Sequence, residues 1–133
     1  MAEIGEVLYR RLINTAALTT ALGGQYVYPV AAPQGKALPY VTLLRISNVK
    51  THAMQGDATP TKSRYQVSTW STSISQARAL AALVDGALRN WVASTDRTVH
   101  RVFYEGEYEV PAIDPDMQSI IHHIPQDFIV WWS

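Results

Sequence analysis

Apolar residues at helical spacing predict three helices. Residues 3–13 and the segment "AALTTAL" at 16–22 form the first two, and a glycine pair ends the second because glycine accepts the left-handed angles of a helix end. Residues 74–92 form the third, with Ser73 and Gln76 as a capping pair. The apolar stripe of this third helix consists of Ala77, Leu80, Ala81, Val84, Leu88 and Trp91.

Alternating apolar and polar residues, rich in β-branched and aromatic side chains, predict strands. Pro29 places the first strand at a sheet edge, and Pro125 predicts a bulge or an edge break near the end of the chain, because proline cannot donate to a strand ladder. In the third strand we expect Trp70 on the face opposite Tyr65. The predicted strands cover residues 25–30, 40–49, 63–71, 98–106, 119–124 and 126–132.

With the last two segments counted as one interrupted strand, the order of elements is α-α-β-β-β-α-β-β. Links of hairpin length favour an antiparallel sheet, and the single central helix does not make a repeated βαβ pattern. We therefore predict an α+β fold, in which an antiparallel β-sheet carries two or three helices on one face. We expect a single domain over residues 1–133.

Composition narrows the classes of function. Eleven Lys and Arg residues balance eleven Asp and Glu residues, so the chain lacks the basic excess of a protein that holds nucleic acid by its phosphates. The absence of cysteine removes disulfides, thiolate metal sites and a cysteine nucleophile. No apolar run is long enough to span a bilayer and the N-terminus is not leader-like, so we expect no membrane partner.

A long polar connection between two strands is the first candidate interface. Residues 48–62, "NVKTHAMQGDATPTK", carry few apolar side chains, and connections of this length are usually functional or mobile. We expect this connection to meet a partner protein, and the side chains proposed for the contact are His52, Met54, Gln55 and Asp57.

A second polar connection, residues 105–118, opens with alternating carboxylates at Glu105, Glu107 and Glu109. In an extended segment these three lie on one face, which is typical of a solvated strand edge and also suits an acidic contact with a partner. Further along, Asp114-Pro115-Asp116 is explained by a turn better than by a cation site or acid–base chemistry.

The sequence does not indicate catalysis or metal binding. His122 and His123 are adjacent, so a strand sends them to opposite faces, where they cannot easily share a metal ion. The chain has neither the G-x-S-x-G motif of serine hydrolases nor the phosphate-binding motif G-x-x-x-x-G-K-[ST]. We expect no enzyme activity, no metal and no cofactor.

The C-terminal strand is apolar on both faces. Strand alternation sends Phe128, Val130 and Trp132 one way and Ile129 and Trp131 the other. Burial within the chain's own core explains such a strand, and so does a second subunit that covers one face. In the second interpretation, Trp131 belongs to the partner interface.

Three segments, in this order, resemble the small phage tail-completion proteins, a family of tail terminators. "YPVAAPQGKALPYVTLLRIS" comes first, "RYQVSTWSTSISQARALAALVDGAL" follows, and "QDFIVWW" closes the chain. The N-terminal "AALTTALGG" also fits. The order and spacing of the segments carry the resemblance over nearly the whole chain.

The resemblance implies a structural protein that forms a six-fold ring on the head-proximal end of a long tail, where the ring stops tube polymerisation. The implied partners are further copies of the chain, the major tail tube protein and a head connector or stopper protein, while DNA passes through the lumen without specific binding. The implied location is the virion, after assembly in the host cytoplasm. Two alternatives stay open: another neck component, such as a head-completion or stopper protein, and a monomeric binding module or small enzyme.

Overall fold

The computed structural model describes residues 3–33, 37–50, 60–94, 97–113 and 120–133, which form three helices and seven strands. The helices are α1 (Ile4–Ile13), α2 (Ala16–Leu22) and α3 (Ile74–Leu88). The strands are β1 (Val27–Pro29), β2 (Tyr40–Lys50), β3 (Thr61–Ser71), β4 (Ala93–Ser94), β5 (Thr98–Glu107), β6 (Val110–Ile113) and β7 (Ile120–Trp132).

Local chemistry explains where the helices begin and end. Gly23 ends α2 with a φ of 83°, a left-handed conformation that glycine adopts without a steric penalty. At the start of α3 the Ser73 hydroxyl accepts a hydrogen bond from the Gln76 backbone N–H at 3.4 Å, while the Gln76 side chain accepts from Ser71. This helix ends at Leu88, before the predicted residue 92, because Arg89 departs from helical angles with a ψ of 126°.

The structure confirms the predicted α+β fold and corrects one detail of the sheet. The strand order is β1-β2-β3-β7-β5-β4, with β6 paired to β7. Within the described ranges every pair is antiparallel except β1 with β2, which is parallel, so the sheet is mixed. The two strands run in the same direction, with Val27 opposite Val41 and Pro29 opposite Leu43.

Pro125 does not break β7, contrary to the prediction. The strand runs without interruption through the proline, with Pro125 opposite Ser68 on β3. The interruption lies instead in the neighbouring chain segment, between β5 and β6, where Tyr108 N–H donates to the Pro125 carbonyl at 3.4 Å. A proline is tolerated here because its missing N–H falls beside a gap in the ladder.

The core lies between the three helices and one face of the sheet. Gln126 ties the two layers together, since its side-chain amide donates to the Ala81 carbonyl at 2.9 Å and to Glu107 at 3.2 Å. The largest fully buried apolar side chains are Phe128, Ile4, Leu8, Leu12, Leu18, Leu80, Leu88, Ile124, Val27, Val41 and Val67. The predicted faces of β3 are also correct, because Tyr65 and Val67 point into this core and Trp70 points away.

Candidate assembly surface

The face of the sheet opposite the helices is not covered by any helix in the described ranges. Strand register arranges its side chains in cross-strand rows. One row consists of Ser47, Arg64, Ile129 and Phe103, and the next consists of Val49, Lys62, Trp131 and Arg101. These rows mix apolar and basic side chains, a composition suited to contact with another macromolecule.

Aromatic rings form a continuous row across the same face. Tyr28 meets Tyr40 edge-on at 6.2 Å, and Tyr40 stacks on Trp70 at 6.1 Å between ring centroids. Trp70 in turn lies flat on the His123 ring at 3.8 Å, and its indole N–H donates to the Thr42 hydroxyl at 3.1 Å. Rings held in this way lose little conformational entropy on binding, so the row is a rigid platform.

Exposed large apolar side chains gather at the two sides of the sheet. Among the described residues, β3 and β7 carry none of them. The first group lies on or beside β1 and β2 and comprises Val30, Leu44, Ile46 and Val49; the second lies near β4, β5 and β6 and comprises Val92, Phe103, Tyr108 and Val110. Exposed apolar groups that cluster in this way mark interaction surfaces more often than scattered ones do.

Each side of the sheet ends in a strand edge that lacks a partner among the described residues. β1 pairs only with Val41–Leu43 of β2, which leaves the β2 edge, residues 44–50, without a neighbour. β4 pairs only with Thr98 and Val99 of β5, which leaves the β5 edge, Phe103–Glu107. An open edge presents backbone donors and acceptors that can pair with another chain.

The three predicted interface carboxylates lie beside or on the β5 edge. Glu105 is exposed and sits at a bulge between Tyr104 and Gly106. Glu107 accepts a hydrogen bond from the Tyr104 hydroxyl at 2.8 Å, in addition to the one from Gln126.

Glu109 is held by Arg78 on α3 through two parallel hydrogen bonds of 2.9 and 3.1 Å. Its pKa is lowered, first by the hydrogen bond from Arg78. Glu107 and Glu109 thus hold the chain around the gap between β5 and β6 in place.

The predicted contact residues His52, Met54, Gln55 and Asp57 lie outside the described residues. The strands that lead to them are described: Lys50 pairs with Thr61, which in turn lies opposite Trp132 near the end of β7. The other polar connection, predicted over residues 105–118, is shorter than expected, because residues 105–107 belong to β5 and residues 110–113 form β6. Its remaining part leaves the sheet where Ile113 pairs with Ile120 at the start of β7. The two connections therefore depart from opposite ends of a 13-residue strand, ~40 Å apart at about 3.3 Å per residue.

Trp131 lies on the helix-free face, as strand alternation predicts, with the Lys62 ammonium 5.9 Å from its ring centroid. Phe128 and Val130 point into the core on the other side. His122 and His123 also separate as expected, since His122 pairs with Ser71 and His123 stacks on Trp70.

Two perturbed groups accompany these surfaces. Burial, and after it the hydrogen bond to Glu107, together raise the pKa of Tyr104 to about 12. Burial lowers the pKa of His123 below 6.5 because it disfavours the charged ring, and the enclosed Nε2 has no hydrogen-bond partner among the described residues. Both shifts favour the uncharged side chain.

Features of a reaction centre are weak in the described ranges. No group of three His, Asp or Glu side chains there is placed to hold a metal ion. A groove of about 390 Å³ runs between α1, β1 and β2, with apolar lining from Tyr9, Val30 and Leu43 and the exposed ion pair of Glu3 and Arg45 (3.0 Å). None of the helices in the described part of the chain is long and apolar enough to cross a membrane.

Sequence reasoning missed the aromatic row and the two open edges. Tyr28, Tyr40 and His123 come from distant parts of the chain, and only the pairing of β1, β2, β3 and β7 brings them into line. One available signal was the position of Trp70 among the polar residues of its strand face.

Known proteins support a role in a phage-type tail. Among curated proteins, none matches the chain significantly. The chain resembles a solved structure titled "Virion of native gene transfer agent (GTA) particle", with a TM-score of 0.69 and 18% identity, over 94% of this chain and 90% of that chain. The family described as tail completion protein gp17 matches residues 6–119. The chain therefore belongs to the tail completion protein gp17 family and is a structural protein of the tail of a phage-type virion.

Proposed function

We propose that the protein forms a closed ring, six copies in circumference, at the head-proximal end of a long tail. The ring stops polymerisation of the tail tube and joins the tail to the connector of the head. The protein acts through its shape and its contacts with other proteins. It catalyses no reaction, uses no cofactor and does not bind specifically the DNA that passes through the ring. Each copy contributes one domain.

The observation that carries this proposal is the two-ended geometry of the sheet. The β2–β3 hairpin and the β6–β7 hairpin lead to polar connections at opposite ends of β7. A joining protein needs two separate contact surfaces, one for the tail tube and one for the head connector. A ring of copies with this arrangement presents one set of connections toward each partner.

Two further features support the proposal. The family name describes a protein that completes a tail, and the gene transfer agent virion has a chain of the same fold. The helix-free face and the two open edges offer surfaces for contact between copies, as a closed ring requires.

Deletion of the gene in the producing strain tests this role, with electron microscopy of the particles as the readout. Loss of a tail terminator gives tubes of uncontrolled length that fail to join heads. Tails of normal length beside heads that leak DNA would contradict the proposal and would favour a stopper protein. Expression of the wild-type chain from a plasmid should restore normal tails.

A further inference from the structure

We propose that the β5 edge of one copy pairs antiparallel with the β2 edge of the next, so that one continuous sheet runs around the ring. This inference rests on the ring proposed above and names the surfaces that meet in it. The occupant of each open edge is therefore a second copy of this chain. Five observations on the strands support the pairing.

Strand direction is the first. β2 and β5 are separated by three antiparallel pairings, β2 with β3, β3 with β7 and β7 with β5, so they run in opposite directions. Copies in a ring are related by rotation about one axis, which preserves the direction of each strand along that axis. When the sides of two copies meet, β5 of one and β2 of the other are antiparallel.

The second observation is that the two edges lie at the same level along the strand direction. Arg45 pairs with Tyr65, Tyr65 with Phe128, and Phe128 with Tyr104, so one cross-strand row links the two edges. If Tyr104 of one copy opposes Arg45 of the next, the row continues without an offset. Such a joint adds no rise from copy to copy, and closure of a ring instead of growth of a helical filament requires that condition.

The backbone of the β5 edge is correctly oriented, which is the third observation. The Val102 carbonyl accepts a hydrogen bond from Asn90 N–H at 2.9 Å, so the backbone groups of Val102 face away from β7. Alternation along an antiparallel strand makes Tyr104 the next residue whose N–H and C=O face outward.

The β2 edge shows the same arrangement. The Leu43 carbonyl accepts a hydrogen bond from Val30 N–H at 2.8 Å, so the backbone groups of Leu43 face away from β3. Arg45 is the next outward-facing residue, just past the end of the cover that β1 provides. Arg45 and Tyr104 therefore offer complementary backbone groups at the same height.

Apolar side chains fit this register, which is the fourth observation. With Arg45 opposite Tyr104, Ile46, the extra residue of a bulge between Arg45 and Ser47, falls opposite Phe103. Ile46 is 48% exposed and Phe103 is 44% exposed, so both remain largely in water in a single copy. Their contact across the joint removes apolar surface from water on both sides.

Charge bears on which edges meet, which is the fifth observation. β2 contains two basic residues and no acidic one, whereas the β5 edge contains Glu105 and Glu107 and no basic residue. Two β5 edges therefore repel each other, whereas a β2 edge, whose Arg45 is paired with Glu3 at 3.0 Å, has no acidic residue of its own to repel a β5 edge. The charges thus disfavour a two-fold dimer through the β5 edges and are compatible with a head-to-tail joint that closes a ring.

A cysteine pair tests the joint directly, because the natural chain contains no cysteine. Residues opposite each other on antiparallel strands are close enough for a disulfide. The double variant Ile46→Cys/Phe103→Cys, oxidised both as isolated protein and in tail-bearing particles, should give a ladder of covalent oligomers up to the closed ring. An equal mixture of the two single variants should give covalent dimers and nothing larger. As a control, Ile46→Cys with Val92→Cys should not form the ladder, although Val92 is also exposed.

Charged substitutions provide a second test. Ile46→Asp and Phe103→Asp should each abolish ring formation, while circular dichroism shows an unchanged fold because both side chains lie at the surface. An equal mixture of the two variants retains one intact pair of edges and should give dimers by sedimentation. Dimers formed by either variant alone would overturn the head-to-tail joint.

The outcomes separate this inference from the proposed function. Rings or tail-end collars that lack the cross-link between residues 46 and 103 overturn the joint and leave the terminator role intact. Tails that end at the proper length in the deletion strain overturn the terminator role, whatever the cross-link shows.

Discussion

Trp70 and His123 lie face to face across β3 and β7, with ring centroids 3.8 Å apart and an angle of 6° between the ring planes. The contact joins residues 53 positions apart in the sequence and forms the centre of the aromatic row on the helix-free face. It also encloses a titratable group in an apolar setting, which makes the stability of the fold depend on pH.

Acid should weaken the fold through His123. Because the folded state lowers the pKa of His123 below 6.5, its contribution to stability is complete above that pH and is lost as the pH falls through the folded-state value. The free energy of unfolding, measured by urea denaturation over this range, should fall less in His123→Phe than in the wild type. His123→Asn should also reduce the dependence of the unfolding free energy on pH, although this variant loses the stacking contact with Trp70. If the unfolding free energy of both variants fell with acid as steeply as that of the wild type, His123 would not be the group responsible.

Tyr104 should titrate late among the seven tyrosines. Its pKa of about 12 exceeds the ordinary 10.0, so the fold favours the neutral phenol, and this stabilisation is lost as the pH rises from about 10 toward 12. Glu107→Gln should lower the pKa of Tyr104 but leave it above 10.0, because burial is the larger cause. The measurement is tyrosinate absorbance, with Tyr104→Phe to identify the signal. A higher pKa in Glu107→Gln would refute the role of the carboxylate.

The two phenylalanines provide a matched test of core and surface. Phe128 is fully buried, whereas Phe103 is 44% exposed on the β5 edge. Phe128→Ala should lower the free energy of unfolding by about 3–5 kcal/mol through the cavity that it leaves. Phe103→Ala should cost less than about 1 kcal/mol. Equal losses in chemical denaturation would show that the β5 edge is not a free surface in the single copy.

The Arg78–Glu109 pair should hold the start of β6 against α3. Both side chains are largely exposed, so Arg78→Met should change the melting temperature little. The backbone amides of Val110, Ala112 and Ile113 should nevertheless exchange with solvent several-fold faster, because the strand loses its tie to the helix layer. Arg89→Met, which breaks the ion pair with Asp85 inside the α3 region, is the control and should leave these amides unchanged. If the amides of β6 exchanged at the same rate in both variants, Arg78 would not be the residue that positions this strand.

Local patterns in the sequence determined most of the elements. The stripe from Ala77 to Leu88 predicted α3, and the alternation of Tyr65 and Trp70 predicted the two faces of β3, because helix and strand periodicity are short-range properties. β4 and β6, of two and four residues, were not predicted, since such segments are too short to show a period.

Tertiary structure alone decided which strands are neighbours, and with that the candidate surface. The sequence by itself determined an α+β fold, with a family resemblance that pointed to a tail protein, and named Glu105 and Trp131 as interface candidates. It did not determine that β1 pairs parallel with β2, or that Arg45 and Tyr104 end one row at two open edges. Strand pairing depends on contacts between residues far apart in the chain, and local periodicity carries no information about them.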